Sequence, residues 1–252
     1  MPKSQKFACV IIAAGLGKRM KSDLPKVLHK LNGKCLVEYV VETAEKFGAN
    51  PIIAIVGYKK ELVIQQLGSR IQYAVQEQQL GTGHAVLQAE PLLKDYSGSI
   101  LILSGDVPLL RVETVQKLAE MHHSGNNACT IVTCILENPT GYGRILRRND
   151  GAVAAIVEEK DASNAQRQIK EINSGIYMVQ APVLFEALHH IDNHNRQGEY
   201  YLPDIVPYIL SINLRVGGLR SSNPLEIAGV NSKEELEALE KASFAQRNNF
   251  ID

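Results

Sequence analysis

The chain has 252 residues, and its 27 Lys and Arg residues balance 27 Asp and Glu residues, so the formal net charge is zero. That balance argues against a nucleic-acid coat protein or an electrostatic membrane binder. A hydrophobic content of 45% excludes a chain that is disordered throughout. The N-terminal apolar run is a poor signal peptide and no segment is long enough to span a membrane, so we expect a cytoplasmic protein.

The first half of the chain alternates short apolar runs with segments whose apolar residues have helical spacing. Strands are predicted at about 7–12, 51–56, 71–75, 99–103 and 128–136. Helices are predicted at about 36–47, 60–67, 84–93 and 113–123. This alternation predicts an α/β fold with a mostly parallel sheet and helices on both faces.

The pattern changes after about residue 138, where glycines, charges and short strand-like segments dominate. Strands are predicted at about 142–146, 152–158 and 172–179, and helices at about 182–191 and 204–210. This half is expected to form a smaller antiparallel lobe on the same core. Ser232 and Glu235 have capping-box spacing, which predicts a final helix over about 232–249.

A glycine turn, Ile12-Ala-Ala-Gly-Leu-Gly-Lys-Arg-Met20, directly follows the first predicted strand. Its glycines allow close approach of the backbone to a ligand, and its amides can point at phosphate oxygens. A dinucleotide fingerprint needs glycine where Met20 stands, and a Walker A loop needs Ser or Thr where Arg19 stands. The positive charges of Lys18, Arg19 and Lys26 suit a triphosphate and its departing pyrophosphate. The alternative is a tight turn flanked by solvated lysines.

The segment Ala13-Ala-Gly-x-Gly-x-Arg-Met20, followed by Leu24-Pro-Lys26, resembles the signature of the sugar-1-phosphate nucleotidyltransferases. Further motifs make the chain similar to the uridyltransferase domain of the bifunctional N-acetylglucosamine-1-phosphate uridyltransferases. In chain order these are Gln76, Gln79-Leu-Gly-Thr-Gly-His-Ala85, Gly105-Asp-Val-Pro-Leu109, Pro139-Thr-Gly-Tyr-Gly-Arg144, Ile156-Val-Glu-x-Lys-Asp161, Glu171-Ile-Asn173, Gly198-Glu-Tyr-Tyr201 and Gly229-Val-Asn231. Each motif alone is weak, but the ordered set covers nearly the whole chain and is specific.

The resemblance implies transfer of UMP from UTP to N-acetylglucosamine 1-phosphate, giving pyrophosphate and UDP-N-acetylglucosamine for peptidoglycan synthesis. It implies one nucleotidyltransferase domain over 1–252, with a Rossmann-like nucleotide-binding half at about 1–137 and a sugar-binding half at about 138–230. Arg19 and Lys26 are the implied catalytic residues. The implied nucleotide-binding residues are Ala13, Ala14, Gly15, Gly17, Gln76, Gly81 and Thr82, and the implied sugar-binding residues are Gly141, Glu158, Asn173 and Tyr201.

Two polar residues are candidates for a metal site. Asp106 closely follows a buried predicted strand, where ligands of open α/β sheets bind, although it also suits a simple turn. Asn231 precedes the predicted cap Ser232, although it could itself cap the helix. The resemblance implies that both residues are magnesium ligands, with water and phosphates completing the shell.

Two further side chains have chemistry that fits the substrates. The amide of Gln76 offers both a donor and an acceptor to a uracil edge, and the carboxylate of Glu158 can accept sugar hydroxyls. The alternatives are a surface polar residue for Gln76 and a solvated charge run, 158–161, for Glu158. We interpret His189, His190 and His194 as a polar helix end. Cys9, Cys129 and Cys134 lie in apolar runs and are predicted to be buried.

The chain departs from the family pattern at two positions. Lys18 stands where the family often has Thr, and Pro203 replaces a polar residue that is common on the sugar side. The acetyltransferase domain of the bifunctional enzymes would lie beyond residue 252, so acetyl transfer is not expected of this chain. Another sugar 1-phosphate, dTTP, or a non-catalytic nucleotide-sugar-binding role stays open. No nucleic-acid or membrane partner is expected, and a homo-oligomer is left open.

Overall fold

The computed structural model describes residues 6–248, without the side chains of Lys18 and residues 245–248. The predicted end of the last helix, at about 249, lies outside the described residues. The strands are β1 (Phe7–Ile12), β2 (Lys30–Leu31), β3 (Lys34–Cys35), β4 (Ile52–Val56), β5 (Gln72–Val75), β6 (Ser99–Ser104), β7 (Cys129–Ile135), β8 (Arg144–Arg147), β9 (Val153–Val157), β10 (Glu171–Gln180) and β11 (Val216–Ser221). The α-helices are α1 (Leu36–Phe47), α2 (Lys60–Leu67), α3 (Thr82–Leu87), α4 (Glu90–Leu93), α5 (Val112–Ser124), α6 (Asn164–Arg167), α7 (Ala181–His190), α8 (Ile205–Ser211) and α9 (Lys233–Asn248).

The main sheet has the strand order β11-β7-β10-β6-β1-β4-β5. β1 pairs in parallel with β4 and β6, β4 with β5, and β7 with β11. β10 runs antiparallel between β6 and β7, and it also pairs with the β8–β9 hairpin. The predicted α/β fold, a mostly parallel sheet with an antiparallel addition, is confirmed.

The central strand β1 is apolar on both faces because helices cover both sides of the sheet. Cys9 and Ile11 belong to one buried cluster, and Ala8 and Val10 belong to the other. This arrangement explains the continuous apolar run in the sequence, which has no polar alternation. The cysteines are buried and free, which confirms the prediction for Cys9, Cys129 and Cys134.

The last helix, α9, supports the underside of the glycine turn. Leu239 of α9 packs in one buried cluster with Met20, Leu31 and Val230. Met20, which replaces the third glycine of a dinucleotide fingerprint, is therefore a core residue that fixes the end of the turn. Within residues 6–248, none of the helices is both long enough and apolar enough to cross a membrane.

The sequence analysis does not predict the short elements β2, β3 and α6, and two further differences have a physical reason. The helix predicted at about 84–93 is divided into α3 and α4, since Pro91 cannot donate a backbone hydrogen bond and its ring would clash in a helix interior. Strand β11 was not predicted, because Gly217 and Gly218 interrupt its apolar pattern. Its pairing with β7 along Val216–Ser221 supplies the stability that the local sequence lacks.

Candidate active site

A cavity of about 220 Å³ opens where β1 and β6 end. Ligands of open α/β sheets bind at the carboxyl ends of the strands, so the position agrees with the fold. Predicted residues from distant parts of the chain line this cavity together: Arg19, Thr82, Asp106, Gly141, Glu158, Asn173 and Asn231.

The glycine turn lies directly against Lys26. Gly17 has a φ of +61°, and a Cβ atom there would stand only 2.7 Å from the Cβ of Lys26. The carbonyl of Gly17 accepts a hydrogen bond of 2.8 Å from the amide of Met20. Glycine is therefore required at position 17 for both the backbone conformation and the close approach.

Lys26 holds two oxygen atoms from separate loops. Its ammonium group donates to the carboxylate of Asp106 and, at 3.0 Å, to Oδ1 of Asn231. The two loops are joined by the backbone, because the amide of Val230 donates to the carbonyl of Asp106 at 2.9 Å. Three residues that are far apart in sequence thus form one charged cluster beside the glycine turn.

The start of α9 decides between the two interpretations of Asn231. Oγ of Ser232 accepts from the amide of Glu235 at 3.2 Å, so Ser232 is the helix cap. The Glu235 carboxylate accepts from the amide of Asn231 at 2.7 Å. The side chain of Asn231 is therefore not the cap, and its oxygen points at Lys26.

The oxygens of Asp106 and Asn231 fit a divalent cation such as Mg²⁺. Both already face one positive charge, the ammonium of Lys26, so the site favours a cation at that point. Among the described residues there is no cluster of three or more His, Cys, Asp or Glu side chains suited to a metal. A cation held by these two oxygens would need water and phosphate oxygens to complete its shell, as Mg²⁺ commonly does.

The turn at Gly81, which Gln76 supports, packs closely against Tyr200 in the second half of the chain. Nε2 of Gln76, a buried residue, lies 3.0 Å from the carbonyl oxygen of Gly81 and 3.0 Å from Nδ1 of His84. Gly81 has a φ of +114°, and a Cβ there would stand 2.5 Å from the carbonyl oxygen of Tyr200. Gln76 is therefore a structural partner of the Gly81 turn and not a surface residue, and its contact with a base stays a prediction.

Glu158 and Asn173, from the second half of the chain, also line the cavity. Oδ1 of Asn173 accepts from the amide of Gly175 at 3.1 Å, which fixes the side chain at the cavity. Burial, followed by the negative charges of Asp204, Asp161 and Glu199, raises the pKa of Glu158 to about 7. Glu158 is half-buried and lines the cavity, so it is not a fully solvated surface carboxylate.

Several predicted residues lie around the cavity without lining it. The alanines at 13 and 14 are buried at the end of β1, and Gly15 is exposed in the turn. The hydroxyl of Tyr201 accepts from Nε2 of Gln197 at 2.6 Å and lies 3.3 Å from Oδ2 of Asp161. Its neighbours Leu202 and Pro203 line the cavity instead. The sugar-binding role of Tyr201 stays a prediction.

The lining residues that the sequence analysis does not assign to the site include Ser104, Tyr142 and Tyr177. Ser104 is indicated by its position at the end of a predicted strand, and Tyr142 by the motif Pro139–Arg144 that contains it, whereas no signal indicates Tyr177. The histidines considered above lie elsewhere. Nε2 of His189 is 3.0 Å from Oε1 of Glu90, and the ring of His190 stacks on Tyr208.

Comparison with known proteins gives the relationship of the chain. Bifunctional protein GlmU of Caldanaerobacter subterraneus subsp. tengcongensis is 48% identical over 237 residues, which are 94% of this chain and 51% of that protein. Bifunctional protein GlmU of Levilactobacillus brevis is 48% identical over 232 residues, 92% of this chain and 50% of the relative. Bifunctional protein GlmU of Limosilactobacillus reuteri is 48% identical over 239 residues, which are 95% of this chain and 52% of that protein. The chain spans about half the length of the curated relatives it matches, and they confirm the resemblance drawn from the motifs.

A solved structure, UDP-glucose pyrophosphorylase complexed with UDP-glucose, has the same fold, with a TM-score of 0.74 and 17% identity. The alignment covers 96% of this chain and 99% of that one. The MobA-like NTP transferase domain family matches residues 9–242. The chain therefore belongs to the family of MobA-like NTP transferase domains.

Proposed function

We propose that this chain transfers UMP from UTP to N-acetylglucosamine 1-phosphate, giving UDP-N-acetylglucosamine and pyrophosphate. One observation carries the proposal: a single cavity is lined by Asp106 and Asn231, whose side chains bond Lys26, and also by Glu158 and Asn173. Charged groups and hydrogen-bonding groups in one cavity suit a reaction between a triphosphate and a sugar phosphate.

We assign the triphosphate to the glycine turn, in the half of the chain at about 1–137. The turn ends beside Arg19 and Lys26, which supply positive charge where the β- and γ-phosphates would lie. Arg19 is exposed and can bind two oxygens at once, whereas Lys26 acts as a point charge. The sugar is assigned to the half at about 138–230, where Glu158 accepts hydroxyls and Asn173 orients the ring.

The chemical step needs alignment and charge neutralisation. A phosphate oxygen of the sugar 1-phosphate attacks the α-phosphorus of UTP and forms a new phosphorus–oxygen bond. The bond from the α-phosphorus to the bridging oxygen breaks, and its electrons leave with pyrophosphate toward Arg19 and Lys26. No general base is required, since the attacking oxygen is already anionic. Holding the two substrates in line can contribute roughly 7–11 kcal/mol to lowering the barrier.

We assign a Mg²⁺ ion to Asp106 and Asn231, whose oxygens converge on one cationic position. Bound there, the ion would neutralise phosphate charge and bring the two anionic substrates together. Arg19 and Lys26 alone offer two positive charges against the several negative charges of two phosphorylated substrates. This excess of negative charge favours a reaction that depends on the ion.

The test is pyrophosphate release from a panel of nucleoside triphosphates and sugar 1-phosphates, with and without Mg²⁺. We expect turnover with UTP and N-acetylglucosamine 1-phosphate, and its loss when the ion is chelated. The substitution Lys26→Ala should remove most turnover, whereas Lys30→Ala, at an exposed lysine outside the cavity, should not. Tight binding of UDP-sugar without turnover in the presence of Mg²⁺ would contradict the proposal.

The same panel tests the second candidate, another sugar 1-phosphate. Pro203 lines the cavity and offers neither a side-chain hydrogen bond nor a backbone donor, which favours a sugar that makes fewer polar contacts at that wall. If such a sugar 1-phosphate gave a higher kcat/KM than N-acetylglucosamine 1-phosphate, it would become the assigned substrate. The class of reaction would stay the same. The cytoplasmic location stays a prediction, and the oligomeric state stays open.

A further inference from the structure

Tyr177 of β10 carries a buried hydroxyl that makes no hydrogen bond of regular geometry in the described part of the chain, although the side chain of Asn173 lies near it. The residue is 1% exposed and lines the cavity together with Glu158 and Asn173. A buried hydroxyl without a partner costs free energy, and native structures rarely leave one without a reason. A ligand in the adjoining cavity could supply the hydrogen bond that this group lacks.

The ring of Tyr177 is fixed by its surroundings. It belongs to a buried apolar cluster with Ile145, Ile156 and Leu202, so the ring is packed and cannot swing away. The pairing register of β10 with β7 shifts between Asn173 and Tyr177. Irregularities of this kind change the direction of side chains beside active sites. Asn173 and Tyr177 are four positions apart, on the same face of the strand, and both line the cavity.

Leu202 and Pro203, which line the cavity beside Tyr177, offer no free backbone donor. The amide of Leu202 donates to Oγ1 of Thr82 at 2.9 Å, and Pro203 has no amide hydrogen. Glu158, when ionised, only accepts hydrogen bonds. A sugar bound here presents acceptor oxygens as well as hydroxyl donors, and the free hydroxyl of Tyr177 can meet one of those acceptors.

We propose that Tyr177 is a specificity-determining residue whose hydroxyl donates a hydrogen bond to an oxygen of the sugar in the second substrate. The inference rests on the proposed function, since it names a contact of the sugar 1-phosphate. Burial and then the charge of Glu158 raise the pKa of the Tyr177 hydroxyl well above its ordinary value. It therefore stays protonated at neutral pH and remains a donor.

The experiment compares wild type with Tyr177→Phe, which removes one oxygen atom and keeps the ring. We expect KM for the sugar 1-phosphate to rise roughly 5–20-fold, with KM for UTP unchanged and kcat nearly so. The free variant should be at least as stable as wild type in thermal unfolding, because an unpaired buried hydroxyl is lost. The rise in Tm on adding the sugar 1-phosphate should become smaller.

The matched control is Tyr96→Phe. Its hydroxyl is also buried without a partner within residues 6–248, but it borders a different cavity, beside Phe185 and Pro91. This variant should leave both KM values unchanged. An unchanged sugar KM in Tyr177→Phe, or a lower Tm of the free variant, would overturn the inference while wild-type turnover stood. Absence of turnover by wild type with every sugar 1-phosphate would instead overturn the proposed function.

Discussion

The pKa of Glu158 makes a quantitative prediction about stability. Burial, followed by the charges of Asp204, Asp161 and Glu199, raises this pKa from 4.5 to about 7. The folded state therefore holds the proton more tightly than the unfolded chain does. No stability is lost below the unfolded pKa, and stability falls as the pH rises from about 4.5 through 7. At about 1.4 kcal/mol per pKa unit, the full cost of the charged form is roughly 3 kcal/mol.

The perturbation is Glu158→Gln, which keeps the shape of the side chain and cannot ionise. The free energy of unfolding should be measured by urea denaturation of wild type and variant at several pH values between 5 and 8. From pH 5 to pH 8, the free energy of unfolding of the variant should rise by about 2–3 kcal/mol relative to that of wild type. The reason is that only wild type must hold a negative charge at this site as the pH rises.

The control is Glu120→Gln, at an exposed position on α5, where the difference from wild type should not depend on pH. A difference between Glu158→Gln and wild type that is the same at pH 5 and pH 8 would refute the reasoning. It would mean that the Glu158 carboxylate is solvated as well in the folded protein as in the unfolded chain.

Three further outcomes are expected. Lys26→Ala should lower kcat by roughly 100-fold or more in a pyrophosphate-release assay, and near-normal release would reject its role. Gly17→Ala should lower the free energy of unfolding by about 2–3 kcal/mol in urea denaturation and lower turnover, since the new Cβ meets Lys26. Gly33→Ala, where φ is also positive but the space is open, should cost only about 1 kcal/mol, and equal costs would contradict the close approach. Burial alone would raise the pKa of Glu171, but hydrogen bonds from Arg147 and Thr133 and nearby positive charge lower it to about 2. The ionised Glu171 therefore stabilises the fold fully above pH 4.5, and this stabilisation is lost as the pH falls through 2. Glu171→Gln should therefore cost about 2 kcal/mol at pH 7 and progressively less below pH 4, and a cost independent of pH would contradict this.

Local patterns in the sequence predict the elements that depend least on tertiary contacts. Strand β1 and helices α1 and α2 have the predicted bounds, since an apolar run or a helical period ends at a clear signal in each. Gly48, with a φ of +87°, ends α1 as predicted. Strand β11 could not be predicted in this way, because its glycines carry no periodicity and its stability comes from pairing with β7.

The candidate site was predictable only where the sequence shows charge or a motif. The glycine turn and Lys26 are indicated by their residue types, and the resemblance supplies Asp106, Glu158 and Asn231. That Lys26 bonds both Asp106 and Asn231 depends on loops separated by 80 and 205 positions in the chain, which no local pattern relates. Tyr177 lies in an apolar strand and is indistinguishable in sequence from an ordinary core residue.

The central claim is that the turn after β1, with Arg19 and Lys26, holds the triphosphate. A crystal structure of the protein with UTP and Mg²⁺ tests it most directly. We predict phosphate density against the backbone of residues 13–17 and within hydrogen-bond distance of Lys26, with the ion on Asp106 and Asn231. A nucleotide bound elsewhere, with the turn and Lys26 free of phosphate, would contradict the account.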